Sequence, residues 1–134
     1  MCSDDVQSNY KPLVPGSITL YPGLKQAGVK LLFYSGDTDG AVPLWGTRQW
    51  IDTLNWSVKR ATTPWYVNNQ FNGEITKYDG LTLVTIHGVG HMAPQWKRFE
   101  VTSMLNAYLH NEDMYNFYSP DYYGPKKLPS VLTE

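Results

Sequence analysis

Two short apolar runs that end in glycine and polar residues dominate the hydrophobic pattern of this chain. Residues 29–34 form the first run, and Ser-Gly-Asp-Thr-Asp follows at residues 35–39. Residues 81–86 form the second run, and His-Gly-Val-Gly-His follows at residues 87–91. Apolar runs of this length are typical of strands buried on both faces, as in a parallel sheet covered by helices. Because ligand crevices in open α/β sheets lie past the carboxyl ends of strands, both polar stretches are candidate site residues.

Three segments with helical periodicity are expected to flank these strands. Residues 17–28 favour a helix that begins near Tyr21 or is kinked there, because Pro22 interrupts the pattern. Residues 44–55 and the segment opened by Pro94 each carry an apolar stripe at helical spacing. The stripe positions are Trp45, Trp50, Ile51 and Leu54 in the earlier helix, and Trp96, Val101, Met104, Leu105, Tyr108 and Leu109 in the later one. We therefore expect an α/β fold with these stripes, including the tryptophans that begin them, in the core.

The remaining segments complete the predicted organisation. Residues 63–78 predict a hairpin or two short antiparallel strands, because asparagine and glycine residues punctuate them. One domain is expected over residues 1–112, with an irregular, polar start. Residues 113–134 are rich in tyrosine and proline, and we predict a C-terminal tail that lies on a surface or stays disordered. A strand of this kind needs parallel neighbours, which the chain does not clearly supply for the first core strand. An exposed apolar strand edge invites association, so we expect the isolated chain to be marginally stable or prone to association.

Composition and charge exclude several classes of partner. The 134 residues carry a net charge of -1 without a basic stripe, which gives no basis for nucleic-acid or anionic-membrane binding. No apolar stretch approaches the roughly 18 residues that a membrane span requires. The three histidines are scattered and have no cysteines or paired carboxylates nearby, so no metal site is expected. His87 and His110 are expected to be structural or surface groups.

The polar residues after the two core strands fit the chemistry of a hydrolase. An imidazole can take the proton of an attacking serine near neutral pH, and an acid on its other nitrogen orients the ring. A strand followed by an acid and a later strand followed by His91 match the second half of an α/β-hydrolase triad, whose chain order is Ser, Asp or Glu, His. Residue types alone do not separate Asp37 from Asp39 as the acid. A nucleophile elbow of the form Gly-x-Ser-x-Gly occurs nowhere in the 134 residues.

These residues closely resemble the C-terminal signatures of the serine carboxypeptidase family. The matching motifs are Ser35-Gly36-Asp37-Thr38-Asp39 with Val42-Pro43, Trp50-Ile51-Asp52-Thr53-Leu54, Gly88-Val89-Gly90-His91-Met92-Ala93-Pro94 and the opening Cys2-Ser3-Asp4. The resemblance runs from about residue 2 to about residue 109. It implies the C-terminal part, or small chain, of an α/β-hydrolase catalytic domain, with a mostly parallel sheet, flanking helices and a short β-hairpin.

The resemblance also implies roles for individual residues. It makes Asp39 the triad acid and His91 the triad base. It places Met92 on the substrate side of the site, and ordinary packing in the core is an equally open interpretation of Met92. Cys2, the only cysteine, would form a disulfide with the missing part of the enzyme; the alternative is a free thiol. Asn55 opens an Asn-Trp-Ser glycosylation sequon, which fits a secretory route.

The function implied by the resemblance is that of a serine-type carboxypeptidase, a protease that releases single residues from the C-termini of peptides without metal or organic cofactor. Its expected location is the secretory pathway, and then a vacuole, a lysosome or the extracellular space. The expected partner is an N-terminal portion, or large chain, that carries the nucleophilic serine, so the chain alone should be inactive. Two alternatives stay open: an acyltransferase or hydroxynitrile lyase with the same triad, and a non-catalytic truncated paralogue or interaction module.

Overall fold

A five-stranded mixed sheet with helices against both faces forms the fold in the computed structural model, which describes residues 3–11 and 16–118. The strands are β1 Leu31–Gly36, β2 Val58–Val67, β3 Gln70–Tyr78, β4 Leu81–Ile86 and β5 Asn116–Phe117. The helices are α1 Asp4–Asn9, α2 Tyr21–Gln26, α3 Leu44–Thr53, α4 Ala93–Trp96 and α5 Arg98–His110, with a 3-10 turn at Ser17–Leu20 leading into α2. The predicted α/β class is therefore confirmed, as is the interruption near Tyr21.

The strand order is β1-β4-β3-β2-β5, so the hairpin joins the main sheet. β1 and β4 pair in parallel, from Leu31 opposite Leu81 to Gly36 opposite Ile86. β4, β3 and β2 pair in antiparallel fashion, and the sheet is mixed because the predicted hairpin adds directly to β4. β1 begins and ends two residues later than the apolar run suggested. The parallel pair brings the carboxyl ends of β1 and β4 to the same edge of the sheet.

The core is divided between the two faces of the sheet. Alternate side chains of β4 point to opposite faces, as the two-residue period of a strand requires. Leu81 and Leu83 pack with Ile51 of α3 on one face. Val84 packs with Met104 of α5 on the other face, where the larger cluster lies. Each helix therefore covers one side of the strands that carry the polar turns.

Three residues of the predicted apolar stripes are exposed, so the prediction that they are buried is wrong. Trp45 and Trp96 are each 70% exposed, and Leu109 is 72% exposed. The segment after Pro94 is not one helix but two, because the backbone at Lys97 leaves helical geometry (φ -123°, ψ 55°) and sets α4 apart from α5. α3 buries only Thr47 and Ile51, so Trp45 in its first turn stays outside the core.

Residues 114–117 still belong to the fold, although the tail was predicted to begin at residue 113. Met114 and Tyr115 are buried, and Asn116–Phe117 forms the strand β5 beside β2. The guanidinium group of Arg60 lies 3.9 Å from the centre of the Tyr115 ring, which fixes this segment against the hairpin by a cation–π contact. The rest of the predicted tail, from residue 119 onward, lies outside the described residues.

Candidate active site

The turns that follow β1 and β4 are bound to each other along their backbones. The N–H of Asp37 donates to the carbonyl of Ile86 at 3.0 Å, and the N–H of Thr38 donates to the carbonyl of Val89 at 3.1 Å. Gly36 permits this approach, because a Cβ atom there would lie 2.2 Å from the carbonyl oxygen of Val89. Any larger residue would force the two turns apart.

Asp39 and His91 meet across these turns. Oδ2 of Asp39 lies 3.0 Å from Nδ1 of His91, within hydrogen-bond distance. The other carboxylate oxygen, Oδ1, accepts the N–H groups of Ala41 at 2.8 Å and Val42 at 3.0 Å. The side chain of Asp39 is 7% exposed, whereas that of His91 is 60% exposed. A buried carboxylate therefore holds an imidazole whose second nitrogen, Nε2, lies on the opposite side of the ring from this contact.

The environment of Asp39 favours its ionised form. The N–H of Val42 has the largest effect and lowers the pKa of Asp39 below its ordinary value of 3.8; His91 and the N–H of Ala41 act in the same direction, and burial opposes them. Since the folded-state pKa lies below the unfolded one, the stability that these contacts provide is present above the unfolded pKa. It is lost as the pH falls through the folded-state pKa. Asp39 therefore remains an acceptor for His91 under mildly acidic conditions.

A second acid–histidine pair lies beside the first. Oδ2 of Asp37 is 2.7 Å from Nδ1 of His87, and Oδ1 of Asp37 accepts the N–H of Gly88 at 2.8 Å. The ring of His87 also packs edgewise on Phe71 of β3, with 5.1 Å between ring centres. The structure thus separates the two acids that residue types could not: Asp37 bonds to His87, and Asp39 bonds to His91.

A cleft of about 530 Å³ opens beside the Asp39–His91 pair. Its aromatic wall consists of Tyr21, Phe33 and Trp50, whose ring centres are 4.9 to 5.3 Å apart. Ser35 also lines the cleft, but its hydroxyl donates to the carbonyl of Gly36 and not to the histidine. This wall was not predicted as part of the site, because Tyr21, Phe33 and Trp50 lie on three separate elements and only the fold brings their rings together.

The other predicted site residues fall in different places. Met92 follows His91 directly and is 55% exposed, so core packing is not its role in this structure. Asn55 is exposed in the turn after α3, with a positive φ of 53°. Cys2 lies outside the described residues. Within residues 3–11 and 16–118, no group of three potential ligands could hold a metal ion. No helix in the same part of the chain is both long and apolar enough to cross a bilayer.

An ionised acid that orients an exposed imidazole, at the ends of neighbouring parallel strands, has the geometry of the acid–base half of a Ser-His-Asp hydrolase site. The sequence model of the serine carboxypeptidase family matches residues 1–111. The chain belongs to the serine carboxypeptidase family.

Its relatives are much longer proteins. The chain is 35% identical over 114 residues to serine carboxypeptidase-like 26 of Oryza sativa subsp. japonica, a match that covers 85% of this chain and 24% of the relative. It is 36% identical over 115 residues to serine carboxypeptidase-like 33 of Arabidopsis thaliana, with 85% and 24% of the two chains covered. The chain thus spans about a quarter of the length of these relatives.

A solved structure shares the fold. The chain superposes on the crystal structure of Kex1(delta)p, a prohormone-processing carboxypeptidase from Saccharomyces cerevisiae, with a TM-score of 0.72 and 23% identity. The match covers 82% of this chain and 26% of that one. It confirms the α/β-hydrolase fold expected from the sequence.

Proposed function

We propose that this chain supplies the acid and the base of the catalytic triad in a serine-type carboxypeptidase. The hydrogen bond between Asp39 and His91 is the observation that carries the proposal. A serine hydroxyl placed against Nε2 of His91 gives its proton to the ring as it attacks the last peptide bond of the substrate. Asp39 keeps the other nitrogen protonated and stabilises the imidazolium that forms.

The reaction then proceeds by acyl transfer. His91 passes the proton to the leaving amino acid, and the rest of the peptide remains as an ester on the serine. Water, deprotonated by the same imidazole, cleaves the ester and restores the serine hydroxyl. Met92 is proposed to contact the substrate, since it follows the base directly and more than half of its side chain is exposed.

We propose that an N-terminal portion of the enzyme supplies the nucleophile and docks along β1. No Gly-x-Ser-x-Gly elbow is present in the 134 residues, and the chain matches only 24% to 26% of its relatives. Among the described residues, β1 is an edge strand that pairs only with β4, and its residues 31–36 include no charge, no proline and no shift of register. The other edge of the sheet, β2, is protected where β5 does not cover it, by Lys59, Arg60, Pro64 and shifts of register. Edges protected in this way resist pairing, whereas β1 is open to another strand.

We propose a secretory route for the complete enzyme, with Cys2 in a disulfide to the N-terminal portion and a glycan on Asn55. An exposed asparagine in a turn suits a glycosylation site, and disulfides persist in oxidising compartments. Protein isolated from its natural source should show a mass above 15.3 kDa for the species that contains this chain. The mass should fall on reduction and fall again after enzymatic removal of N-linked glycans. A mass equal to that of the bare chain before either treatment would contradict both modifications.

A serine-reactive fluorophosphonate probe tests the main proposal. The complete protein should be labelled and should release the C-terminal residue of a blocked dipeptide, whereas the 134-residue chain alone should do neither. Ser17→Ala and Ser35→Ala variants of the chain are the matched controls, because Ser17 and Ser35 both line the cleft. Labelling of the chain alone that disappears in either variant would contradict an external nucleophile. No labelling of the complete protein would indicate a non-catalytic paralogue, and labelling without residue release would indicate an acyltransferase or lyase.

A further inference from the structure

We infer that Asp37 and His87 act together as a positioning pair for His91, an inference that rests on the proposed function. Among the described residues, no side-chain hydrogen bond joins Asp37 or His87 to Asp39 or His91. Instead, the carboxylate of Asp37 makes two side-chain contacts across the gap between the turns, to Nδ1 of His87 at 2.7 Å and to the N–H of Gly88 at 2.8 Å. Both contacts fix the start of the turn that ends in the proposed base.

The turn after β4 is held at His87 by the carbonyl of Asn72, and at Val89 by the N–H of Thr38 and by burial of the Val89 side chain. It contains glycine at positions 88 and 90, and glycine leaves the backbone more freedom than any other residue. Gly88 has a positive φ of 73°, a conformation that this residue adopts without strain. The carboxylate of Asp37 accepts the N–H of this same residue and thereby limits the freedom of the backbone three positions before His91. A side chain from the turn that carries Asp39 thus holds the glycine that lies between the anchored residues His87 and Val89.

His87 is itself anchored to the rest of the sheet. Its backbone N–H donates to the carbonyl of Asn72 at 2.8 Å, and its ring packs on Phe71. Asp37 in turn is anchored to β4 through its own N–H. The pair therefore connects β1, β4 and β3 at the edge where the proposed site lies. A displacement of about 1 Å at a catalytic group can lower the rate about 100-fold, so the pair is placed where its loss would affect catalysis.

Kinetics of the complete protein test this inference, with rates expressed per site that the fluorophosphonate probe labels. Asp37→Ala removes both contacts across the turns and should lower kcat by on the order of 10-fold to 100-fold, with a smaller change in KM. Asp37→Asn should remain within a few-fold of the wild type, since its amide oxygen still accepts from Gly88 and its amide nitrogen can donate to a neutral His87. His110→Ala is the matched control, because the ring of His110 lies on α5 and, among the described residues, bonds to Asn106 of its own helix alone.

A double variant shows whether the two side chains act as one unit. His87→Ala should lower kcat less than Asp37→Ala, and adding it to Asp37→Ala should lower kcat no further. Fully additive losses of kcat in the double variant would overturn the inference. A normal kcat per labelled site in Asp37→Ala, together with fewer labelled sites, would also overturn it, because that result indicates a role in folding alone. A wild-type protein that is neither labelled nor active overturns the proposed function as well. Normal kcat in Asp37→Ala beside a loss in His91→Ala overturns only the positioning pair.

Discussion

Replacement of His91 by alanine in the complete protein is expected to lower kcat by about 10⁶-fold, the loss seen when the base of a Ser-His-Asp site is removed. Without the imidazole, the described residues that line the cleft include no other histidine to take the proton of the serine hydroxyl. KM should change little, because the ring acts on the reacting proton and not on the remote parts of the substrate. Steady-state rates on a blocked dipeptide, with single-turnover measurements for the slow variant, would measure the effect.

His110→Ala is the appropriate comparison for this variant as well. It makes the same change of residue type on the outer surface of α5, away from the cleft. Its kcat should match that of the wild type. Activity of His91→Ala within about 10-fold of the wild type would remove His91 from the mechanism, because a general base contributes at least 10²-fold.

Replacement of Asp39 by asparagine is expected to lower kcat by on the order of 10⁴-fold with the fold intact. The asparagine oxygen can still accept the N–H groups of Ala41 and Val42, so the turn should keep its shape. Its amide nitrogen would then face Nδ1 of His91 as a donor and hold the imidazole in the tautomer with its proton on Nε2. That tautomer cannot accept the proton of a serine, and activity falls although every side chain stays in place.

Asp52→Asn provides the matched control for this charge change, since Asp52 lies exposed on α3. The same pair of variants also tests how the stability of the fold depends on pH in the acid range. Because the contacts of Asp39 lower its pKa, wild-type stability should fall as the pH drops through that folded-state pKa, and Asp39→Asn should lack this component. Thermal unfolding followed between pH 6 and pH 2 would show the difference, with the pH limits set at about two units either side of the ordinary carboxyl range. Equal pH dependence in both proteins would contradict the stabilising role of the turn.

The parts of the fold that follow from local pattern were predictable. β4 lies at residues 81–86, as its apolar run indicates, because a strand buried on both faces has few polar positions. The hairpin was also indicated by Asn68 and Asn69, both of which have positive φ at its turn. The break at Lys97 was not indicated by the sequence, because the apolar stripe of α5 continues in phase across it. Only the backbone conformation separates the two helices.

Burial that depends on neighbours was harder to predict. Tyr115 follows Met114 and the polar residues 110–113 and lies among tyrosines and prolines, so no helical or strand period marks it as buried. Its burial results from the contact with Arg60 and the short pairing of β5 with β2. Trp45 shows the opposite error, because a helical stripe gives the period of a helix and not the extent of the surface that covers it.

The candidate site was likewise predictable in part. Strand ends and glycines identified both turns, and the family resemblance selected Asp39 over Asp37. The bond between Asp37 and His87 was not foreseen, since it depends on the parallel register that sets Gly36 opposite Ile86. The two N–H groups that hold Asp39 are backbone groups and leave no trace in the residue types.

The closeness of the Asp39 and His91 turns has a consequence for how a complete triad assembles. Orientation of the base relative to its acid is fixed when this chain folds, so its entropic cost does not fall on the step that brings in the serine. In the proposed arrangement, the portion that carries the serine docks along β1 against an acid and a base that are already aligned. Substitutions on the surface along β1 should therefore change the fraction of molecules with an aligned serine, while each aligned molecule turns over at the normal rate.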